Sequence, residues 1–255
     1  MAKHDATGRQ PKYLRIAAAL KDAIASGEYG PGDRLPGESD LMAAYGVARM
    51  TARQAFGVLQ AEGLAEARKG AGVFVREFRV GIRRRGIQRL AVEVWGAGGS
   101  IWAADGKGRD PQVEVLGVTR EPAPAAVAAA LGLAAGAPAC VRRRRFLFEG
   151  RAVMLATSYL DAALVAGTPI TEPDTGPGGI YARLAEIGHE PTRFREEIRS
   201  RMPGAEEAVA LGLAAGTPVV LICRTALTAD GRAVEVNEMV LDSSAYVLEY
   251  EFDAP

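Results

Sequence analysis

A nine-residue stretch, Ala130-Leu131-Gly132-Leu133-Ala134-Ala135-Gly136-Ala137-Pro138, recurs 80 residues later as Ala210-Leu211-Gly212-Leu213-Ala214-Ala215-Gly216-Thr217-Pro218. Gly150-Arg151-Ala152-Val153 likewise recurs as Gly231-Arg232-Ala233-Val234. Each copy reads as a strand, a short helix ending at Gly-x-Pro, a long strand, a turn at Gly and a second long strand. The long strands are Cys140–Phe148 with Ala152–Leu160, and Val219–Leu227 with Ala233–Leu241. A helix around Ile180–Ile187 separates the copies. Two copies are too few for a solenoid. They predict one antiparallel sheet with pseudo-twofold symmetry and helices on one side.

The part of the chain before this repeat has a different pattern. From Tyr13, Leu14, Ile16, Ala17, Leu20, Ala23 and Ile24 follow the spacing of one helix face, which Gly27 ends. Gly30-Pro31-Gly32 forces a turn. A second short helix has Leu41, Met42 and Tyr45 as its inner face, and Gly46 breaks it. A third begins at Arg49, with Ala52, Ala55, Phe56 and Leu59 inward and Gly63 as its stop. Two short helices about a glycine-containing turn are the helix-turn-helix arrangement, in which the start of the second helix enters the major groove. That start offers Arg49, Thr51, Arg53 and Gln54, side chains suited to guanine, adenine, phosphate and thymine-methyl contacts. Two arginines on a helix are more often a solvated face, but the segment after this helix argues against that alternative. Leu64–Arg68 and Val73–Val75 are strand-like, and Lys69-Gly70-Ala71-Gly72 between them makes a basic hairpin tip able to approach a phosphate backbone.

Charge agrees with this division. The chain has 31 Lys+Arg and 31 Asp+Glu. Residues 1–90 hold 16 basic against 9 acidic residues, so the remainder holds 15 against 22. A basic front and an acidic back predict that only the front meets a polyanion, although Arg83-Arg84-Arg85 supply much of the excess. Cys140 and Cys223 lie in apolar runs without CxxC spacing, and with only His4 and His189 to join them they read as core residues, with no metal or other cofactor implied. No apolar run is long enough to span a bilayer and no signal peptide is legible, so the chain reads as cytoplasmic with no membrane partner.

The front segment resembles the GntR family of bacterial regulators almost without a break from Tyr13 to Val75. The resemblance rests on Gly32-Asp33-Arg34-Leu35-Pro36 with Glu38, Tyr45 to Ala55, Leu59 to Leu64 and Gly70 to Val75. It implies a homodimer on a palindromic double-stranded operator. With the residues of the helix and hairpin, the candidate DNA contacts are Arg34, Ser39, Arg49, Met50, Thr51, Arg53, Gln54, Lys69, Gly70 and Gly72. Gly37 and Ser39 depart from the Ser and Arg usual in the family, which removes one expected contact.

The back segment, about residues 87–252, is similar to the UTRA domain of the HutC subgroup, which shares the chorismate lyase fold. The resemblance implies a small-molecule effector between the half-repeats that changes the spacing or orientation of the DNA heads. Of the family's sugar-phosphate contacts, Arg144, Tyr181 and Glu235 are kept. Phe146, Ala156, Gly179 and Leu241 stand at the others, and a one-residue shift would bring in Arg143 or Arg145. The loss points to a less anionic, partly apolar effector. Candidate effector contacts are Arg144, Tyr159, Tyr181, Glu235 and Asn237. Alternation along a strand leaves about half of Arg142–Arg145 solvated, or paired with Glu235 or Glu238. Both tyrosines are equally plausible as core. Trp95–Trp102 reads either as an amide-lined ligand loop or as a connection.

The expected architecture is therefore α/β multidomain. It comprises a winged helix-turn-helix over 10–76, a linker over 77–88 and an α+β antiparallel-sheet, UTRA or chorismate lyase-like effector and dimerisation domain over 89–255. A strand through Val80 and Ile82 is the alternative to the linker. The expected function is a ligand-responsive regulator, with repression the expected sign. An enzyme with a lyase-like domain is the competing reading. Against it, the sequence offers no Ser/His/Asp set, metal-ligand cluster or nucleotide-binding glycine loop.

Overall fold

The computed structural model describes residues 10–77, 82–86, 88–102 and 112–251. The chain divides near residue 78 into two compact units.

The first unit contains α1 (Lys12–Ala25), α2 (Glu38–Tyr45), α3 (Arg49–Ala61), β1 (Ala65–Arg68) and β2 (Gly72–Val75). Ile16, Ala17 and Leu20 of α1 pack with Leu41 of α2 and with Ala52, Ala55, Phe56 and Leu59 of α3; Leu35, Ala65 and Val75 complete the core. Large apolar side chains buried in this way each contribute about 1.5–3 kcal/mol, which holds three short helices that would be marginal alone. One expectation fails: Tyr45 is exposed. It is the last helical residue before Gly46 enters the left-handed region (φ 59°), so α2 ends before Tyr45 can turn inward. β1 and β2 pair antiparallel, from Ala65 opposite Val75 to Arg68 opposite Gly72. Lys69–Ala71 form the turn.

The second unit contains β3 (Ile82–Arg85), α4 (Val92–Trp95), β4 (Gln112–Pro122), α5 (Ala125–Leu131), β5 (Pro138–Phe148) and β6 (Arg151–Asp161). It continues with α6 (Gly179–Glu186), β7 (Arg193–Arg201), α7 (Ala205–Leu211), β8 (Val219–Leu227), β9 (Ala233–Asp242) and β10 (Tyr246–Glu249). Six strands form one antiparallel sheet in the order β4-β5-β6-β9-β8-β7. The two strand–helix–strand–strand copies meet at β6 and β9, so the repeat read in the sequence is the sheet's pseudo-twofold. The equivalent glycines Gly132 (φ 68°) and Gly212 (φ 62°) end α5 and α7 in the left-handed conformation. Helix α5 packs against β9 and α7 against β6, so each copy covers an inner strand of the other.

Two expectations are corrected by this arrangement. The helices do not lie on one side. Val127, Ala128 and Leu131 of α5 pack on Val141, Tyr159 and Val236 of one sheet face. Ile180, Tyr181 and Leu184 of α6 pack with Cys140, Leu160 and Ala226 on the other. All-antiparallel strands with both faces apolar need cover on both sides. The linker segment is also partly a strand: β3 pairs parallel with β10, Ile82 opposite Tyr246 and Arg84 opposite Leu248. Its alternating pattern puts Ile82 in a core with Phe146, Met154 and Leu241. Val80 and His4 lie outside the described residues. Cys140 and Cys223 are both free, the first buried and the second half-buried, and no metal-ligand group occurs among the described residues.

Candidate nucleic-acid interface and effector cavity

In the first unit, α3 starts at Arg49 with Ala48 as its extended N-cap residue. Its inward alanines turn Arg49, Met50, Arg53 and Gln54 outward, all exposed, with Thr51 half-buried. Arg53 donates from Nε to Glu38 Oε1 at 2.7 Å, and Arg49 Nε lies 3.4 Å from Glu38 Oε2. Glu38, the first residue of α2, therefore holds two candidate contacts of α3 at once. Sequence reading passed over this role, because fifteen residues separate Glu38 from Arg53. Exposed Ser39 follows Glu38 in α2. The Gly37 N–H donates to Asp40 Oδ2 at 2.8 Å, so Asp40 holds the N-cap backbone, while glycine offers no side-chain oxygen to accept from the first turn as serine would. At the hairpin, Lys69, Gly70 and Gly72 are exposed. Arg34 forms a bridge to Phe74, and its guanidinium sits where a Cβ on Gly72 would come within 3.1 Å of Nε.

In the second unit a cavity of about 560 Å³ opens on the α6 face of the sheet, within the usual range for small-molecule sites. Arg144, Tyr181, Glu235 and Asn237 line it. Tyr159 does not, and this candidate is corrected: it points to the opposite face, against α5, because side chains alternate and Ser158 takes the cavity side. The Gly98–Trp102 segment does line the cavity, together with the Pro173–Gly178 loop, which sequence reading missed. The two loops are joined by the Gly178 N–H, which donates to the Gly98 carbonyl at 3.1 Å.

Cross-strand register places Arg142, Ser158, Asn237, Arg224 and Glu196 in one row across β5, β6, β9, β8 and β7. Of the four contiguous arginines, Arg142 and Arg144 turn inward. Arg142 donates to the carbonyls of Ile170, Glu172 and Pro173, tying down the loop that leads to α6. Arg144 donates to Ser158. Burial pushes its pKa down, and the Glu235 carboxylate pulls it back up. Arg143 and Arg145 face the other way, partly solvated, the first of the two expected alternatives, and their ion pairs are with Glu121 and Glu114 of β4 and not with Glu235 or Glu238. Beside the cavity, Glu196 accepts from Arg224 at 2.9 Å and from Arg89 at 2.8 Å, with Arg84 at 3.3 Å. Burial alone would raise the Glu196 pKa, but Arg224, Arg89 and Arg84 together hold it down to about 2. Arg224 also donates to the Tyr181 hydroxyl at 3.4 Å. Burial, then the Glu235 charge, raises the Tyr181 pKa, so its hydroxyl stays protonated. Arg84, Arg89, Arg224 and Glu196 escaped sequence reading because they come from four separate segments with no common spacing.

A helix-turn-helix unit with a hairpin wing, followed in one chain by a sheet domain with an open cavity, is the architecture of a DNA-binding transcription regulator with an effector-binding domain. Residues 12–75 match the gntR family of bacterial regulatory proteins and residues 106–247 match the UTRA domain. The chain is 34% identical to an uncharacterised HTH-type transcriptional regulator of Streptomyces coelicolor, covering 97% of this chain and 94% of that one. It is 26% identical to the transcriptional repressor NagR of Bacillus subtilis, covering 95% of each. A crystal structure of a GntR-family transcriptional regulator superposes with a TM-score of 0.67 at 30% identity, covering 96% of this chain and 99% of that one. PhnF from Mycobacterium smegmatis gives 0.58 at 26% identity, covering 94% and 100%. The chain belongs to the GntR family, in the group whose DNA-binding domain is followed by a UTRA effector-binding domain. It is a regulator and not an enzyme, as its domains and relatives are.

Proposed function

We propose that the chain is a repressor that binds a palindromic operator as a homodimer and is released from it by a small molecule held in the cavity. The exposed start of α3 carries this reading. Arg49, Met50, Thr51, Arg53 and Gln54 stand on a helix whose opposite face is fully engaged in the core. Base reading falls to these residues. Arg34, Ser39, Lys69, Gly70 and Gly72 serve phosphate or minor-groove contact. The relative named as a repressor supports the sign of regulation.

The effector contacts are Arg144, Tyr181, Glu235 and Asn237. Dimerisation falls to the second unit. The edge strands β4 and β7 leave Leu116 and Ile198 exposed, and α7 leaves Val209 exposed, apolar surface that a second copy would cover. Two heads about one helical turn apart then meet a twofold operator. The domains are proposed as 10–76 for DNA and, since β3 pairs with β10 in the second unit, 82–255 for effector and dimer, in a cytoplasmic protein. No helix among the described residues is long and apolar enough to cross a membrane.

The test is a fluorescence-anisotropy titration of DNA flanking the chain's own gene. Binding at about 0.1 M salt with a steep salt dependence is expected. Absence of binding there, or a monomer by light scattering at micromolar concentration, would refute the respective part.

A further inference from the structure

Resting on the reading of the cavity as the effector site, we infer that the effector is a small zwitterion of the amino-acid class. Its ammonium lies against Glu235 and Asn237, and its carboxylate against Arg144. Glu235 and Asn237 sit two residues apart on β9, on one face of the strand, and both line the cavity. Each is 1% exposed. Glu235 Oε2 and Asn237 Oδ1 have no hydrogen-bond partner among the described residues. Buried acceptors left idle are costly, and such atoms in a native fold call for a donor that the protein itself does not supply. Two unpartnered acceptors on one strand face, one of them a carboxylate oxygen, suit an ammonium or protonated ring nitrogen.

The opposite need is met nearby. Arg144 lines the same cavity, and its Nε is buried without a hydrogen-bond partner among the described residues. Among the described residues its side-chain acceptor is neutral Ser158, so the guanidinium has capacity for a ligand carboxylate. Arg142 differs, since its terminal nitrogens are committed to three carbonyls. The formal charges of the lining cancel: Arg142 and Arg144 stand against Asp174 and Glu235. A dianionic phosphosugar would bring unbalanced charge to a neutral wall. A zwitterion satisfies the acceptors and the arginine together. Trp102, Val113, Val115 and Ile180 leave apolar wall for the ligand's side chain.

The experiment uses the full chain in thermal-shift and calorimetric titrations. The probes are the standard amino acids, their decarboxylated amines, their deaminated acids, and glucosamine 6-phosphate with its N-acetyl form. The tightest ligand is expected to be an intact amino acid, with its matched amine and acid each weaker by about tenfold or more. Glu235→Gln, nearly isosteric, should weaken the intact amino acid by a similar factor while the variant still binds operator DNA, which shows that it is folded. Tightest binding by an acid or a phosphosugar that Asn237→Leu abolishes overturns the zwitterion and leaves the cavity as the effector site. Binding that neither variant alters overturns the cavity reading too. No binding by any amino acid at millimolar concentration overturns the inference.

Discussion

Arg53 of α3 and Glu38 of α2 are joined by a 2.7 Å hydrogen bond across the helix-turn-helix, and Arg49 shares the same carboxylate. Both arginines are more than half exposed, so the pair adds about 0–1 kcal/mol to folding. Its consequence lies in DNA binding, where a guanidinium bonded to a base edge must leave Glu38 or share it. Arg53→Ala is expected to weaken operator binding by about 1–3 kcal/mol, with a melting temperature close to that of the parent. Operator affinity unchanged in both Arg53→Ala and Arg49→Ala would refute the placement of α3 in the groove.

Glu196 makes the second unit acid-sensitive. Its carboxyl is held at about 2 in the fold against an ordinary value of 4.5. A depressed carboxylate stabilises the fold above its unfolded pKa, and that contribution fades as pH falls toward the folded value. Thermal melts should therefore show stability lost from about pH 5 down to about pH 2. Glu196→Ala leaves fully buried Arg224 without its carboxylate, an expected cost of about 3–5 kcal/mol at neutral pH. A melting temperature of Glu196→Ala equal to the parent's would contradict the network.

Gly178 admits no side chain. Its φ is 76°, and a Cβ there would lie 2.4 Å from the Trp95 carbonyl oxygen and 2.5 Å from the Ala182 Cβ. Left-handed backbone costs an L-residue about 1–2 kcal/mol before any clash. Gly178→Ala should thus destabilise the second unit by more than that, measured by denaturant melts. Gly179, also at positive φ (65°) but with open space about it, should tolerate alanine at roughly the backbone cost of about 1–2 kcal/mol.

The two candidate tyrosines should separate in binding. Tyr181→Phe removes a hydroxyl that accepts from Arg224 beside the cavity and is expected to weaken the effector. Tyr159→Phe changes the α5 face and should leave effector affinity as it was. Calorimetry on both variants decides, and equal losses would contradict the assignment of faces.

The sequence alone determined the elements whose pattern is local. The inner faces of α1 and α3 follow from helical spacing, and Ala52, Ala55, Phe56 and Leu59 are buried as their period requires. The 80-residue repeat is visible because both copies need the same glycines at the same left-handed caps, and it foretold the symmetric sheet. Glu235 and Asn237 were readable as a pair because strand alternation puts them on one face.

What alternation could not decide was which face. The four contiguous arginines divide two and two by geometry. Only the placement of α5 and α6 on opposite faces of the sheet made Arg142 and Arg144 the buried pair and sent Tyr159 away from the cavity. The cluster of Arg84, Arg89 and Arg224 about Glu196 was likewise fixed by tertiary structure, since a carboxylate screened from water gathers cations from wherever the chain passes and leaves no spacing to read. The repeat determined that there would be a sheet with two halves; the packing of helices on its two faces decided where the cavity and its charges lie.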